Sequence, residues 1–325
     1  RLPEGVDVGQ VHRARLPEAL GESSGESLGG SLGGRWVAVK VQHPGITSAL
    51  ESDLDNAGMI QGLVATVGPR HLHSDRIFEE VKQRFREELD YTLEAERQEF
   101  FVRLHRGDPH IDVPEVVRSR SGRRVLTTVL KTGTSLEEAC TAPEALRRRY
   151  AETLWRFVFK GNLVGGMFNA DPHPGNYLFQ PDGRIAFLDF GCVQPISTEH
   201  RAAARAAHHA ALRRDDDGFR AGMRRLLDTS GGAYERAMLD YLRHCFEPLF
   251  ASPFRLSRAY AKSLVERVVD MKKVMLDKSS GYVPPAEGLL FMNRLQFGFF
   301  SVLARLVGDL EIDYAEIERA FLPPE

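Results

Sequence analysis

Two short segments constrain this chain more than any others: FNADPHPGN at residues 168–176 and FLDFG at residues 187–191. Asn176 follows Asp171 by five positions, and Asp189 follows it by eighteen. Between them, His173-Pro174-Gly175 shapes a loop, and Asp182-Gly183 makes the turn of a short hairpin that leads into Asp189. The residue types suit one chemistry. Phosphoryl transfer needs a carboxylate to orient or deprotonate the attacking hydroxyl, and it needs oxygen ligands for Mg²⁺, a hard cation held against the nucleotide phosphates. Asp171 fits the first role as the catalytic residue. Asn176 and Asp189 fit the second as metal ligands.

A chain of 325 residues predicts about two domains of roughly 150 residues each, and its 42% hydrophobic content is enough for a sizeable core. The net charge of −2 supplies no global basic field, so nucleic acid is not an expected partner. Cys140, Cys192 and Cys245 are widely spaced and form no C-x-x-C, which reads as reduced thiols in a reducing compartment. The most apolar late segment, 288–307, is interrupted by Asn293, Arg294, Gln296 and Arg305, so no membrane-spanning helix is expected. Together these point to a cytoplasmic protein. The chain opens on Arg1 with no signal peptide and runs at once into motif-like sequence, so a longer N-terminus is expected to precede it.

Residues 9–16 and 35–42 read as strands; in the second, Val37, Val39 and Val41 alternate with Ala38, Lys40 and Gln42. The glycine- and serine-rich run between them, 21–34, reads as a flexible surface loop. Helices are expected over 46–66 and 74–105, the second as one long amphipathic helix capped by Ser74, with Ile77, Val81, Phe85 and Leu89 on its apolar face. Residues 111–130 read as a hairpin turning at Ser119–Arg123. Beyond about residue 134 the chain reads as mostly helical, with a buried helix from Leu146 to Val164 leading into the Asp171 loop. The fold class is therefore α+β: a two-lobed, protein-kinase-like arrangement with a small antiparallel sheet in an N-lobe (1–132) and a helical C-lobe (133–325).

Lys40 in Val37-Ala38-Val39-Lys40 is the expected phosphate-binding lysine, a point charge on a stiff strand. Such a lysine needs a carboxylate on the following helix. Residues 74–105 offer Glu87, Glu88, Asp90, Glu94 and Glu96, of which Glu94 and Glu88 are the best placed. The loop Gly5-Val6-Asp7-Val8-Gly9-Gln10-Val11 is expected to cover the phosphates, with Gly9 and Gln10 at the nucleotide. It is not a G-x-G-x-x-G. An inward Asp7 would oppose phosphate, because like charges 4 Å apart repel by about 4 kcal/mol at an effective dielectric near 20. His208-His209 read as a solvated helix face, and Asp215-Asp216-Asp217 as a helix boundary without a calcium-loop pattern.

Five blocks together resemble the UbiB/AarF family of atypical kinase-like proteins, which includes the mitochondrial ADCK proteins: GQVHRARL, VAVKVQHPGI, ELDYTLEAERQEFF, FNADPHPGNYLF and IAFLDFGCV, in that order. The resemblance runs over about residues 5–310. It implies a kinase-like fold that binds Mg-ATP (or ADP), frequently as an ATPase, and supports ubiquinone or related isoprenoid-lipid biosynthesis. Glu88-Leu89-Asp90 corresponds to the family's E-x-D element and Glu94 to its αC glutamate; Lys40, Asp171, Asn176 and Asp189 carry over to its nucleotide and metal residues. An isoprenoid lipid or lipid-biosynthesis proteins are the implied partners, with peripheral membrane contact. The chain departs from the family in three ways: the alanines of its phosphate loop are replaced at Gly5–Val8, the K-x-G-Q extension is absent from these residues, and so are C-terminal membrane segments. Two rivals stand beside this reading. One is a small-molecule phosphotransferase of aminoglycoside or choline kinase type. The other is a nucleotide-sensing, lipid-binding scaffold without turnover.

Overall fold

The computed structural model describes residues 9–18, 33–49, 52, 74–229, 231–277, 279–284 and 292–324. The phosphate-covering segment Gly5–Val8 with Asp7, the 21–32 part of the glycine-rich run and most of the helix expected at 46–66 lie outside them.

Strands β1 (Gly9–Arg15), β2 (Trp36–Gln42) and β4 (Val125–Val129) form an antiparallel sheet in the order β1-β2-β4. Lys40 sits on the central strand, opposite Val11 on one side and Leu126 on the other. Pairing on both edges is what stiffens the strand that carries the lysine. Val37, on the same strand, is buried against Leu16 and Val117.

The long helix expected over 74–105 is two helices, α1 (Ser74–Glu88) and α2 (Tyr91–Leu104). Asp90 breaks it. Its backbone is extended (φ −113°, ψ 92°), and its carboxylate accepts from Thr92 N–H at 3.0 Å, so it caps α2. The apolar spacing across residues 77–89 hid the break because Leu89 is itself buried.

The hairpin expected over 111–130 is also corrected. β3 (Ile111–Asp112) pairs in parallel with β7 (Ile185–Phe187), in the sheet β3-β7-β6 with β6 (Tyr177–Phe179), while β4 joins the lysine strand. The expected turn is a 3₁₀ turn at Arg118–Arg120. Ser121 locks it by donating its hydroxyl to Val117 O and accepting from Thr127 N–H. Across that turn the bridges Val116–Thr128 and Gly122–Val125 remain, and Val117 N–H and Val129 N–H donate to Thr127 O and Glu115 O.

After the short α3 (Leu136–Ala139), α4 (Glu144–Lys160) runs through the core with Tyr150, Leu154, Trp155, Phe157 and Val158 buried. It passes into a π turn, Gly161–Gly165, and then β5 (Met167–Asn169), which pairs with β8 (Val193–Pro195). The π turn frees backbone carbonyls, and Arg201 and Arg205 donate to Val164 O and Leu163 O. Against α4 pack α10 (Met292–Val307) and α11 (Tyr314–Arg319), and the lobe is completed by α5 (Thr198–Leu212) on α6 (Asp216–Leu227), α7 (Gly232–Cys245), α8 (Glu247–Phe250) and α9 (Arg258–Leu276), which packs on α7 and α10.

His208 is a correction too. It was expected on a solvated helix face, yet it is 3% exposed, with Nδ1 2.7 Å from Glu318 Oε2. The cause is the alanine content of α5. Ala203, Ala204, Ala207, Ala210 and Ala211 are all buried, and small side chains let neighbouring helices close over the histidine. Gly222 of α6 shows how close that approach is: a Cβ there would lie 3.1 Å from Ala207. His209 is half-buried, 2.9 Å from Pro323 O. Asp215 caps α6 through Gly218 N–H, which agrees with the helix-boundary reading of the aspartate run. All three cysteines are free thiols.

Candidate functional site

The site lies where β2, α2, and the loops after β5 and β7 meet. Lys40 Nζ donates to both oxygens of Glu94 at 3.0 Å and to Asp189 Oδ2 at 3.3 Å. The Tyr91 ring lies 5.0 Å from the ammonium. Tyr91 and Glu94 share a face of α2 at i, i+3, so capping by Asp90 sets the phase of the helix that presents both.

Charge balance explains the ionisation of the three groups. Burial opposes the charge on Lys40, but the Asp189 and Glu94 carboxylates outweigh it, and the lysine pKa moves up. Burial also pushes Glu94 up to about 7, even against the pull of Lys40. Burial acts on Asp189 in the same sense, yet Lys40 and the Gly191 N–H hold its carboxyl below the usual range. Asp189 therefore stays the firm anion of the set.

The two aspartates are tied through Asn169. Its amide nitrogen donates to Asp189 O, and its amide oxygen accepts from Asp171 N–H at 3.0 Å. Asn176 Nδ2 donates to Asp171 Oδ2 at 2.9 Å, and Leu188 N–H donates to Asn176 O at 3.0 Å. His173 Nδ1 accepts from Gly175 N–H at 3.1 Å and shapes the loop between Asp171 and Asn176. Below the loop, a Cβ on Gly298 of α10 would come within 2.2 Å of Pro172 Cγ. Only glycine lets α10 seat the Asp-Pro turn this closely.

The donor set suits Mg²⁺ held largely by nucleotide phosphates. Asp189 supplies a carboxylate. Asn176 has committed its nitrogen to Asp171, which leaves its amide oxygen as the donor to a cation. Among the described residues, no group of three or more His, Cys, Asp or Glu could hold a metal ion without such help.

Of the two candidate carboxylates on the helical segment, Glu94 is the partner of Lys40. Glu88 closes α1 and does not pair with the lysine. Gly9 lies opposite Gln42, where a Cβ would fall 2.3 Å from Val41 O and 2.7 Å from the Tyr91 hydroxyl oxygen. Its missing side chain makes room for Tyr91 beside the lysine. Gln10 is exposed, and its amide oxygen is 3.1 Å from His12 Nε2.

Three supporting residues escaped the sequence reading. Asn169 was legible in principle, standing two positions before Asp171. Glu87 was weighed only as a partner for Lys40. Arg97 gave no signal, being one arginine in a charged run. It is buried, donates to Gly191 O at 2.7 Å and pairs with Glu87, so α1 and α2 together hold the loop that carries Asp189.

Comparison with known proteins places this geometry. The ABC1 atypical kinase-like domain matches residues 7–222, well over half of the chain. The chain belongs to this family. Relatives of this ABC1 protein carry the COQ8 and ABC1-kinase names that the UbiB/AarF resemblance anticipates. "Protein ACTIVITY OF BC1 COMPLEX KINASE 1, chloroplastic" of Arabidopsis thaliana is 33% identical over 203 residues, covering 60% of this chain and 27% of its own length. "Atypical kinase COQ8B, mitochondrial" of Danio rerio is 24% identical, covering 92% of this chain and 45% of its own. "Atypical kinase COQ8, mitochondrial" of Saccharomyces cerevisiae is 24% identical, covering 92% and 57%. The chain thus spans between about a quarter and just over half of these relatives. A solved structure of Rv3197 from Mycobacterium tuberculosis in complex with erythromycin shares the fold, with TM-score 0.69, 24% identity, and coverage of 98% of this chain and 76% of that one. The kinase-like, two-lobed α+β reading stands.

Proposed function

We propose that this ABC1-family protein binds a Mg²⁺-nucleotide, ATP or ADP, in the cleft at Lys40 and acts as a phosphotransferase or ATPase. The observation that carries the proposal is the convergence of Lys40, Glu94 and Asp189 within hydrogen-bonding distance, beside the Asp171–Asn176 pair. In that arrangement Lys40 holds the α- and β-phosphates while Glu94 fixes its direction. Asn176 and Asp189 would hold the Mg²⁺, which would supply positive charge against the phosphates. Asp171 accepts a hydrogen bond from the attacking hydroxyl or water and takes its proton as the new P–O bond forms; the bond to the leaving diphosphate breaks in the same transfer.

The UbiB/AarF resemblance implies service in ubiquinone or related isoprenoid-lipid biosynthesis, with an isoprenoid lipid or the proteins that make it as partner, and relatives bearing the COQ8 name fit that resemblance. Among the described residues no helix is long and apolar enough to cross a membrane. A small hydroxylated molecule is the second class of acceptor to test; the structural neighbour, at 24% identity, was solved with erythromycin bound.

Thermal shift with ATP and ADP, with and without Mg²⁺, tests the nucleotide site in the wild type and in Asp189→Asn. Stabilisation that needs both the metal and Asp189 is expected. Stabilisation of the variant equal to wild type would remove the metal assignment. Stabilisation without turnover on water, lipid extracts or a panel of alcohols and amines would favour a nucleotide-sensing scaffold.

A further inference from the structure

A second cavity lies within the helical lobe, formed by residues of α4, α5, α6, α7, α8 and α10, with the π turn at its edge. It measures about 110 Å³, is partly open to solvent, and is walled by apolar groups that include Phe159, Leu242 and Phe299. Three polar side chains reach its wall at Trp155, His208 and Asn162. Two are satisfied: Trp155 Nε1 donates to Glu318 Oε1 at 3.0 Å, and His208 Nδ1 lies 2.7 Å from Glu318 Oε2. Asn162, on the π turn, is 6% exposed, and its amide oxygen is buried without a hydrogen-bond partner.

We infer that this cavity is a binding site for a small apolar alcohol, whose hydroxyl hydrogen-bonds the Asn162 amide while its hydrocarbon body fills the aromatic wall. Each part of that chemistry has a cause. An apolar cavity of roughly 150 Å³ stays dry and takes up benzene, so a space of this order suits a single ring or a short branched chain. Burying an amide oxygen is unfavourable unless a donor reaches it, and a ligand hydroxyl supplies that donor. A hydroxyl both donates and accepts, so it satisfies the amide in either orientation of its oxygen and nitrogen. A ligand without a polar atom would leave the amide unpaired, and a charged one would meet a wall with no free counter-charge among the described residues. The site is separate from the Lys40 cleft, and the inference does not rest on nucleotide binding there.

The test uses Trp155 as reporter. The chain has two tryptophans, and Trp36 is 47% exposed on β2, so Trp36→Phe leaves the cavity indole as the sole tryptophan, which is excited selectively at the red edge where tyrosine does not absorb. The full chain carrying Trp36→Phe is titrated with cyclohexanol and, separately, with methylcyclohexane, a hydrocarbon of matched size. A saturable change in Trp155 emission with cyclohexanol is expected, with weaker binding of the hydrocarbon. Adding Asn162→Leu should weaken cyclohexanol about tenfold and leave methylcyclohexane equal or tighter. A linear, non-saturating response to both probes in the Trp36→Phe chain would overturn the proposal, as would equal cyclohexanol affinity with and without Asn162. Should the leucine variant not fold, the Trp36→Phe chain decides alone: preference for the alcohol supports the site, and equal affinity or preference for the hydrocarbon defeats it.

Discussion

Two buried acidic clusters organise this protein, and they solve the same problem differently. In the cleft, Glu94 and Asp189 face one ammonium, so three ionisable groups share a partly open space. In the helical lobe, Glu318 is fully buried and faces an imidazole and an indole N–H. The cleft cluster keeps charge and some solvent contact, which suits a site that must exchange a phosphate ligand. The Glu318 cluster ties α4, α5 and α11 together. The lesson is that a buried carboxylate marks function only where its partners also face an open space.

Breaking the first cluster should give the largest effect. Asp189→Asn keeps the side chain's shape but removes the anion, and should weaken Mg²⁺-dependent nucleotide binding on the order of a hundredfold or more. Calorimetric titration checks it; a wild-type affinity would place the metal elsewhere. The second cluster should answer in stability instead. Glu318→Ala leaves Trp155 Nε1 and His208 Nδ1 buried without partners, and should cost about 3 kcal/mol in denaturant unfolding. Nucleotide affinity should be unchanged in that variant, so a parallel loss of both properties would join the two regions into one unit.

A smaller effect sharpens the link between the helical lobe and the catalytic loop. Gly298→Ala places a methyl group against Pro172, and overpacking of this kind costs about 1–3 kcal/mol. The variant should lose turnover more than nucleotide affinity, because Asp171 moves while Lys40 and Asp189 stay. A kcat equal to wild type would show that the loop adapts.

A dependence on pH separates the cores in another way. His105 is packed between Phe101 and Phe157, with both ring nitrogens buried and unpartnered. Burial, reinforced by Lys160, lowers its pKa from 6.5 to about 3. Above pH 6.5 the ring is neutral folded and unfolded. As pH falls toward 3, the unfolded chain takes a proton that the folded chain refuses, so stability declines across that window. His105→Leu should flatten this part of the stability–pH curve. An unchanged slope would assign the acid sensitivity to other groups.

Much of the cleft was legible because its residues are defined by type and spacing. Asp171, Asn176 and Asp189 stand close together on a loop and a short hairpin, and Lys40 stands on an alternating strand. Glu88 and Glu94 could not be ranked from the chain alone, since both lie in one charged run. The choice depended on Asp90 ending one helix and starting another with a new phase. Arg97 was silent for the same reason.

By itself, the sequence determined the two-lobed order of strands and helices, the chemical set at the cleft and the family of the chain. Local chemistry carries those: strand alternation, turn residues and short-range spacing survive without knowledge of distant contacts. Only the tertiary structure decided that β4 joins the lysine strand, that His208 is buried against Glu318, and that Asn162 faces an apolar cavity without a partner. His208 and Glu318, for example, stand 110 positions apart in the chain. Pairings at that range follow from how whole helices and sheets pack, and no window of sequence records which small residues will let two helices close over a polar group.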